Sequence, residues 1–138
     1  MNYEEDAIRK ALDIIRADPY MGGAVSFLDG DPFAGLEEYE MHSSISKVDD
    51  VDELLLDLRN YAGTFMLRVD DSRYLFFVNT AHYGCFVIAY INGEARDFEN
   101  LTISREYLNE IRRLIERMIR LAKESETVEE FTKRYLDI

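Results

Sequence analysis

Residues 73–91 read RYLFFVNTAHYGCFVIAYI, and this stretch decides the fold. It holds two largely apolar runs, residues 73–79 and 85–91, separated by a polar loop at residues 80–84, so it predicts two neighbouring β-strands. The second run is apolar at every position, which is typical of a strand buried on both faces, and we expect it at the centre of a sheet. The Asn92-Gly93 pair that follows favours a tight turn.

The residues just before this stretch complete a hairpin and a helix. Residues 65–69 are rich in aromatic and branched side chains, and the turn residues 70–72 join them to the strand that begins at Arg73. Upstream, residues 50–61 open with Asp50 and Glu53 in the spacing of a capping box. Their apolar positions fall on one side, so they predict an amphipathic helix.

The N-terminal third predicts one helix and two strands. Apolar side chains recur every three or four positions over residues 3–17, as in a helix with one buried face. Residues 24–28 form a short apolar run that ends in turn-forming residues, which indicates a strand. Residues 36–44 alternate between polar and less polar side chains, so we expect a strand there that lies exposed or at a sheet edge.

Two further helices are expected at the C-terminal end. The first begins near Ser104 and carries an apolar stripe made of Tyr107, Ile111, Leu114, Met118 and Leu121, widened by Leu108, Ile115 and Ala122. The second follows Thr127, whose spacing to Glu130 completes another capping box, and directs Phe131, Tyr135 and Leu136 inward. The chain therefore predicts one α+β domain over residues 1–138. Its single antiparallel five-stranded sheet is flanked by helices in the order α-β-β-α-β-β-β-α, with a short extra C-terminal helix.

The charge of the chain restricts its partners. With 138 residues and a formal net charge of −12, its surface lies mostly at negative potential, which disfavours nucleic acid and anionic lipid and favours a basic partner. No apolar run approaches the length that spans a bilayer, and the N-terminal residues do not resemble a signal peptide. We therefore expect a cytoplasmic protein that binds neither membrane nor nucleic acid.

Few side chains of the kinds used in metal or nucleophilic sites are present. His42, His82 and Cys85 are the candidates, but no second Cys or His pair completes a zinc site, and a thiol inside an apolar strand is a poor nucleophile. The sequence also lacks a phosphate-cradling glycine loop and a nucleophile elbow. We expect no enzymatic activity, no metal and no cofactor.

Three apolar side chains fall outside the expected core. Leu56 lies away from the main stripe of the helix at residues 50–61, and Tyr39 and Met41 lie on the expected edge strand. These three are candidates for a surface that contacts a partner, and the alternative, that each is an isolated apolar side chain at the surface, stays equally open.

The order of the elements resembles the roadblock/LC7 family, which has a roadblock/profilin-like fold. IRADPYMGGAVSFLDGDPFAG at residues 15–35 is similar to the end of the family's first helix, its first strand and its Asp-Gly turn. Residues 73–91 are similar to its two long strands. The resemblance implies a non-enzymatic homodimer that regulates or scaffolds a small Ras-like GTPase. It also implies a dimer interface that includes Leu54, Leu58, Phe65, Leu67 and Val69.

Two other classes of function stay open. An acidic dimeric secretion chaperone that holds an unfolded client would have similar size and acidity, and exposed apolar grooves along its helices would favour it. A small-molecule sensor or minor enzyme would instead use a pocket with convergent polar groups, here lined by Tyr74, Phe76, His82 and Tyr90.

Overall fold

The computed structural model describes residues 2–24 and 44–137, which form a three-layer α+β arrangement. In chain order these are α1 (Tyr3–Ala17), β1 (Ile45–Val48), α2 (Val51–Asn60), β2 (Gly63–Asp70), β3 (Arg73–Asn79), β4 (Cys85–Ile91), β5 (Glu94–Leu101), α3 (Leu108–Glu124) and α4 (Val128–Leu136). One-turn 3-10 helices lie at Gly22–Ala24 and Arg105–Tyr107. Within the described ranges, no helix is both long and apolar enough to cross a membrane.

One mixed sheet has the strand order β1-β2-β3-β4-β5. The prediction of an antiparallel sheet is wrong at one edge, because β1 pairs with β2 in parallel, with Ile45 opposite Thr64. The physical reason is the helix between them: α2 carries the chain back, so β2 starts at the same end as β1. The other three pairings are antiparallel, as predicted.

The number and position of the strands also differ from expectation. After α2 the sequence predicts three strands, whereas the structure has four, because the charged segment EARDFENL pairs with β4 as β5. β4 is therefore second from the edge, and β3 occupies the centre. The strands predicted at residues 24–28 and 36–44 fall almost wholly outside the described residues. Ala24 belongs to a 3-10 turn instead.

The two faces of the sheet are covered by different helices. On β3, Leu75 and Phe77 face the core formed with α2, α3 and α4, while Tyr74, Phe76 and Val78 face α1. This division follows from the two-residue period of a strand, and it explains why β3 and β4 are apolar throughout. Burial of each large side chain on these strands contributes about 1.5–3 kcal/mol.

Capping side chains fix the N-terminal ends of α2 and α4 where the sequence predicts them. The predicted N-cap Ser104 instead begins the 3-10 turn at Arg105–Tyr107, and α3 starts at Leu108 without a side-chain cap. The Asp50 carboxylate accepts from the Glu53 amide at 2.8 Å, and Glu53 returns the bond by accepting from the Asp49 amide at 2.9 Å. Thr127 and Glu130 are paired likewise at α4. Two side chains that were predicted to lie on buried helix faces are exposed. Leu136 is 49% exposed at the last turn of α4, and Tyr107 is 53% exposed in the 3-10 turn before α3.

Candidate binding surfaces

The side chains that the resemblance assigns to a dimer interface are packed inside the core of the single chain. Leu54, Leu58, Phe65 and Leu67 are all 5% exposed or less, and Val69 is partly buried against the same core. They hold α2 and β2 in the core that α3 and α4 also share. Any intermolecular contact made by α2 must therefore use the opposite, outer face of that helix.

The outer face of α2 presents an apolar side chain between opposite charges. Leu56 is 58% exposed, and it is the one predicted partner-surface residue that the structure describes. Tyr39 and Met41 lie outside the described residues. Asp52 and Glu53 are exposed one turn before Leu56, and Arg59 is exposed one turn after it. Acid, leucine and base thus follow one another along the exposed stripe.

A groove of about 260 Å³ runs beside Leu56 between α2 and α3. Its apolar part is formed by Leu55, Leu56 and Leu108, and it is bordered by polar side chains. Arg112 of α3 pairs with Asp52 of α2, with 2.5 Å between Nη2 and Oδ1, and so joins the two helices. Arg59, at the edge of the groove, has no ion pair within the described part of the chain.

The candidate metal and nucleophilic residues do not come together. Cys85 is fully buried in the core shared by α2 and α3, and burial raises the pKa of its thiol to about 12. His82 is exposed in the loop before β4, and His42 lies outside the described residues. Among residues 2–24 and 44–137, no group of three or more His, Cys, Asp or Glu side chains is placed to hold a metal ion.

The four side chains predicted to line a ligand pocket are also separated. Tyr74, Phe76 and Tyr90 are buried beneath α1, where the rings of the paired residues Tyr74 and Tyr90 lie 6.0 Å apart. His82 lies in the loop beyond the end of β3. The predicted pocket is therefore not formed, because α1 fills the space over the tyrosines.

A different cavity lies at the end of the sheet that carries the loop before β4. It has a volume of about 520 Å³ and is lined by Asn79, Thr80, Ala81, His82, Tyr83, Gly84, Asn100, Thr102 and Ile103. The lining comes from the end of β3, the loop that follows it and the end of β5. These strand ends lie at the same end of the sheet because β3 and β5 are both antiparallel to β4, which lies between them. This cavity was not predicted from the sequence, although His82 was predicted to line a pocket, because β5 was not predicted.

Hydrogen bonds hold the loop in the cavity wall. Thr80 Oγ1 donates to the Gly84 carbonyl at 2.6 Å and accepts from the Tyr83 amide at 2.9 Å. Asn100 Nδ2 donates to the Tyr83 carbonyl at 3.0 Å, which ties the loop to β5. The rings of Tyr83 and Tyr20 meet edge to face with centroids 4.9 Å apart. The loop therefore has a defined shape.

Asn79 connects this cavity to α2. Its Nδ2 donates to the carbonyls of Leu58 at 2.9 Å and Tyr61 at 2.8 Å, at the C-terminal end of the helix. Because both partners are acceptors, the nitrogen must face them, and the carboxamide orientation is determined.

Comparisons with protein-family models, curated proteins and solved structures found no match for this chain. The class of protein is therefore defined by its fold alone, which is an α+β domain with a five-stranded mixed sheet between helices.

Proposed function

We propose that this chain is a non-enzymatic protein-binding domain that acts as a homodimer and regulates or scaffolds a small Ras-like GTPase. The observation that carries the binding role is Leu56, a large apolar side chain 58% exposed beside a groove between two helices. Contiguous apolar patches mark interaction sites, and Leu56 continues the apolar part of the groove formed with Leu55 and Leu108.

The exposed residues on the outer face of α2 support the proposal that a second copy of the chain is one partner. In a two-fold interface each helix meets its own copy, so two α2 helices would cross antiparallel at Leu56. Glu53 of one copy would then lie opposite Arg59 of the other, which gives two equivalent opposite-charge contacts around a central leucine pair. This arrangement uses exposed residues and leaves the core of each chain intact.

The proposal that a small GTPase is the partner rests on the resemblance to the roadblock/LC7 family. The net charge of −12 is consistent with it in one respect, because an acidic surface speeds association with a basic patch on a partner. The fold alone does not select a GTPase.

The dimer is tested with Leu56→Asp and, as a matched control, Leu136→Asp. Both leucines are about half exposed, so neither substitution opens the core. Light scattering during gel filtration should give twice the chain mass for the wild type and the control, and a single-chain mass for Leu56→Asp. A wild-type protein of single-chain mass at all accessible concentrations would contradict the dimer.

The regulatory role is tested separately with purified small GTPases from the source organism, loaded with GDP or a non-hydrolysable GTP analogue. We expect one of them to bind the wild-type protein with an affinity that weakens as salt increases, because the steering is electrostatic. If none binds at low ionic strength, the GTPase role is rejected while the dimer can still stand.

A secretion chaperone is the second candidate, and the groove between α2 and α3 favours it. Its apolar part could hold an apolar side chain of an extended or helical client segment. Capture of unfolded secreted proteins by the wild type, and their loss in Leu56→Asp, would support this function over the GTPase role.

A further inference from the structure

Asn79 lies in the wall of the cavity, and its carboxamide oxygen has no hydrogen-bond donor among the described residues. Asn79 is 8% exposed, and its Nδ2 is occupied by the carbonyls of Leu58 and Tyr61. Its Oδ1 accepts no hydrogen bond from any residue that the structure describes. A buried acceptor left unmatched costs about 1–3 kcal/mol, so a ligand that donates a hydrogen bond to it gains an interaction that the described residues do not supply.

The other lining groups restrict the charge of such a ligand. Among the residues that the structure describes, no Lys, Arg, Asp or Glu side chain lines the cavity. From the described lining, an anion would gain no fixed cation and would be repelled by a chain of net charge −12, and a cation would gain no carboxylate. A charged ligand would thus lose solvation without an ion pair to replace it.

The lining also restricts the hydrogen-bonding character of the ligand. Thr102 offers a hydroxyl and His82 an imidazole, and neither side chain has a hydrogen-bond partner among residues 2–24 and 44–137. Together with Asn79 Oδ1 they form a mixed set of donors and acceptors. Hydroxyl groups on a ligand match such a set because each can both donate and accept.

We propose that this cavity binds a small uncharged polyhydroxylated molecule, a polyol or a monosaccharide. One ligand hydroxyl donates to Asn79 Oδ1, and others bond to Thr102 and His82. A volume of about 520 Å³ lies within the range of ligand sites, and the open side of the cavity gives access. The described lining of this cavity shares no residue with the groove at Leu56, so the proposal does not rest on the proposed dimer.

The test is an NMR titration of the full ¹⁵N-labelled chain with myo-inositol, glucose and galactose. Glucose 6-phosphate and glucosamine serve as charged comparisons. We expect saturable shifts with a millimolar dissociation constant for at least one neutral compound, located at the Asn79 side-chain amide and residues 80–84. The charged analogue of a neutral ligand should bind about tenfold more weakly, a difference of about 1.4 kcal/mol.

Two tryptophan variants separate cavity binding from surface adhesion. Thr102→Trp places a large ring in the lining and should abolish the shifts. Leu136→Trp, at an exposed position on α4, should leave them unchanged. The proposal is overturned if no neutral compound gives saturable shifts, if a charged analogue binds as well as or better than its neutral parent, or if Thr102→Trp binds like the wild type.

Discussion

Tyr90 on β4 donates a hydrogen bond from its hydroxyl to the Asp6 carboxylate on α1, with 2.6 Å between the oxygens. Lys10, one turn further along α1, contacts the same carboxylate at 3.1 Å and also donates to the Gly93 carbonyl. Together these contacts join α1 to the β4–β5 hairpin. The bond from Tyr90 is the main cause that lowers the pKa of Asp6 below its ordinary value, with Lys10 acting in the same direction.

The first prediction concerns the pH dependence of this contact. Because the pKa of Asp6 is lower in the folded chain, its ionised form stabilises the fold near neutral pH. That contribution is lost as the pH falls through the folded pKa. Tyr90→Phe should therefore lower the free energy of unfolding by about 1 kcal/mol near pH 7 and by less at acidic pH. Urea denaturation at several pH values measures this, and a loss that is equal at all of them would contradict it.

A second prediction follows from the bonds between Asn79 and the end of α2. Asn79→Asp keeps the size of the side chain but removes both donors and sets a carboxylate against two carbonyls. We expect it to destabilise the fold by at least about 1–3 kcal/mol, and to speed amide exchange in the last turn of α2 more than in α4. Thr102→Ala, a change in the same cavity that breaks no hydrogen bond within the described residues, is the control. Equal stability of Asn79→Asp and the wild type would refute the role of these bonds.

A third prediction concerns Gly84, whose φ of +86° lies in the region that favours glycine. A Cβ built there would also overlap Asn100 Oδ1 and approach the Leu101 carbonyl oxygen at 3.1 Å. Gly84→Ala should cost more than the roughly 1–2 kcal/mol of backbone strain alone. In an Asn100→Ala background the additional cost should shrink, because the clash is removed. A double-mutant cycle by thermal or chemical unfolding gives this coupling, and purely additive costs would show that the clash is absent.

The fourth prediction concerns Cys85. With its pKa raised to about 12 by burial, only about 10⁻⁴ of the thiol is ionised near pH 8, and the sulfur is fully covered by the core. Iodoacetamide should leave the native protein unlabelled and should react fully in denaturant. Mass spectrometry after timed quenching measures this. Rapid labelling of the native chain would mean that Cys85 is reachable, contrary to its place in the structure.

Much of the helical and central strand structure could be predicted because the deciding signals are local. The capping pairs at Asp50 and Thr127 form as expected, and β3 and β4 begin and end at the predicted residues. The strand β5 was not predicted, because local sequence signals do not identify it. Half of its residues are charged, and it becomes a strand because one edge of β4 is free to pair and because Phe98 packs edge to face on Phe131, with centroids 4.8 Å apart.

The candidate sites were harder to predict than the fold. Leu56 was singled out correctly as exposed, since a helical period assigns each residue to a face. The cavity around Asn79 could not be found in the same way. Its lining residues come from two stretches, 79–84 and 100–103, that become neighbours only after β5 joins the sheet.

The sequence by itself determined the helices, the caps of α2 and α4, the β2–β3 hairpin and β4, because periodicity, capping and turn chemistry act over a few residues. Only the tertiary structure decided that β1 runs parallel to β2, that β5 forms the other edge, and that α1 covers Tyr74 and Tyr90. It also decided that Asn79 lines a cavity with an oxygen left unpaired by the described residues. These features depend on pairings between distant segments, whose free energy comes from the burial and hydrogen bonding of the assembled chain rather than from any local preference.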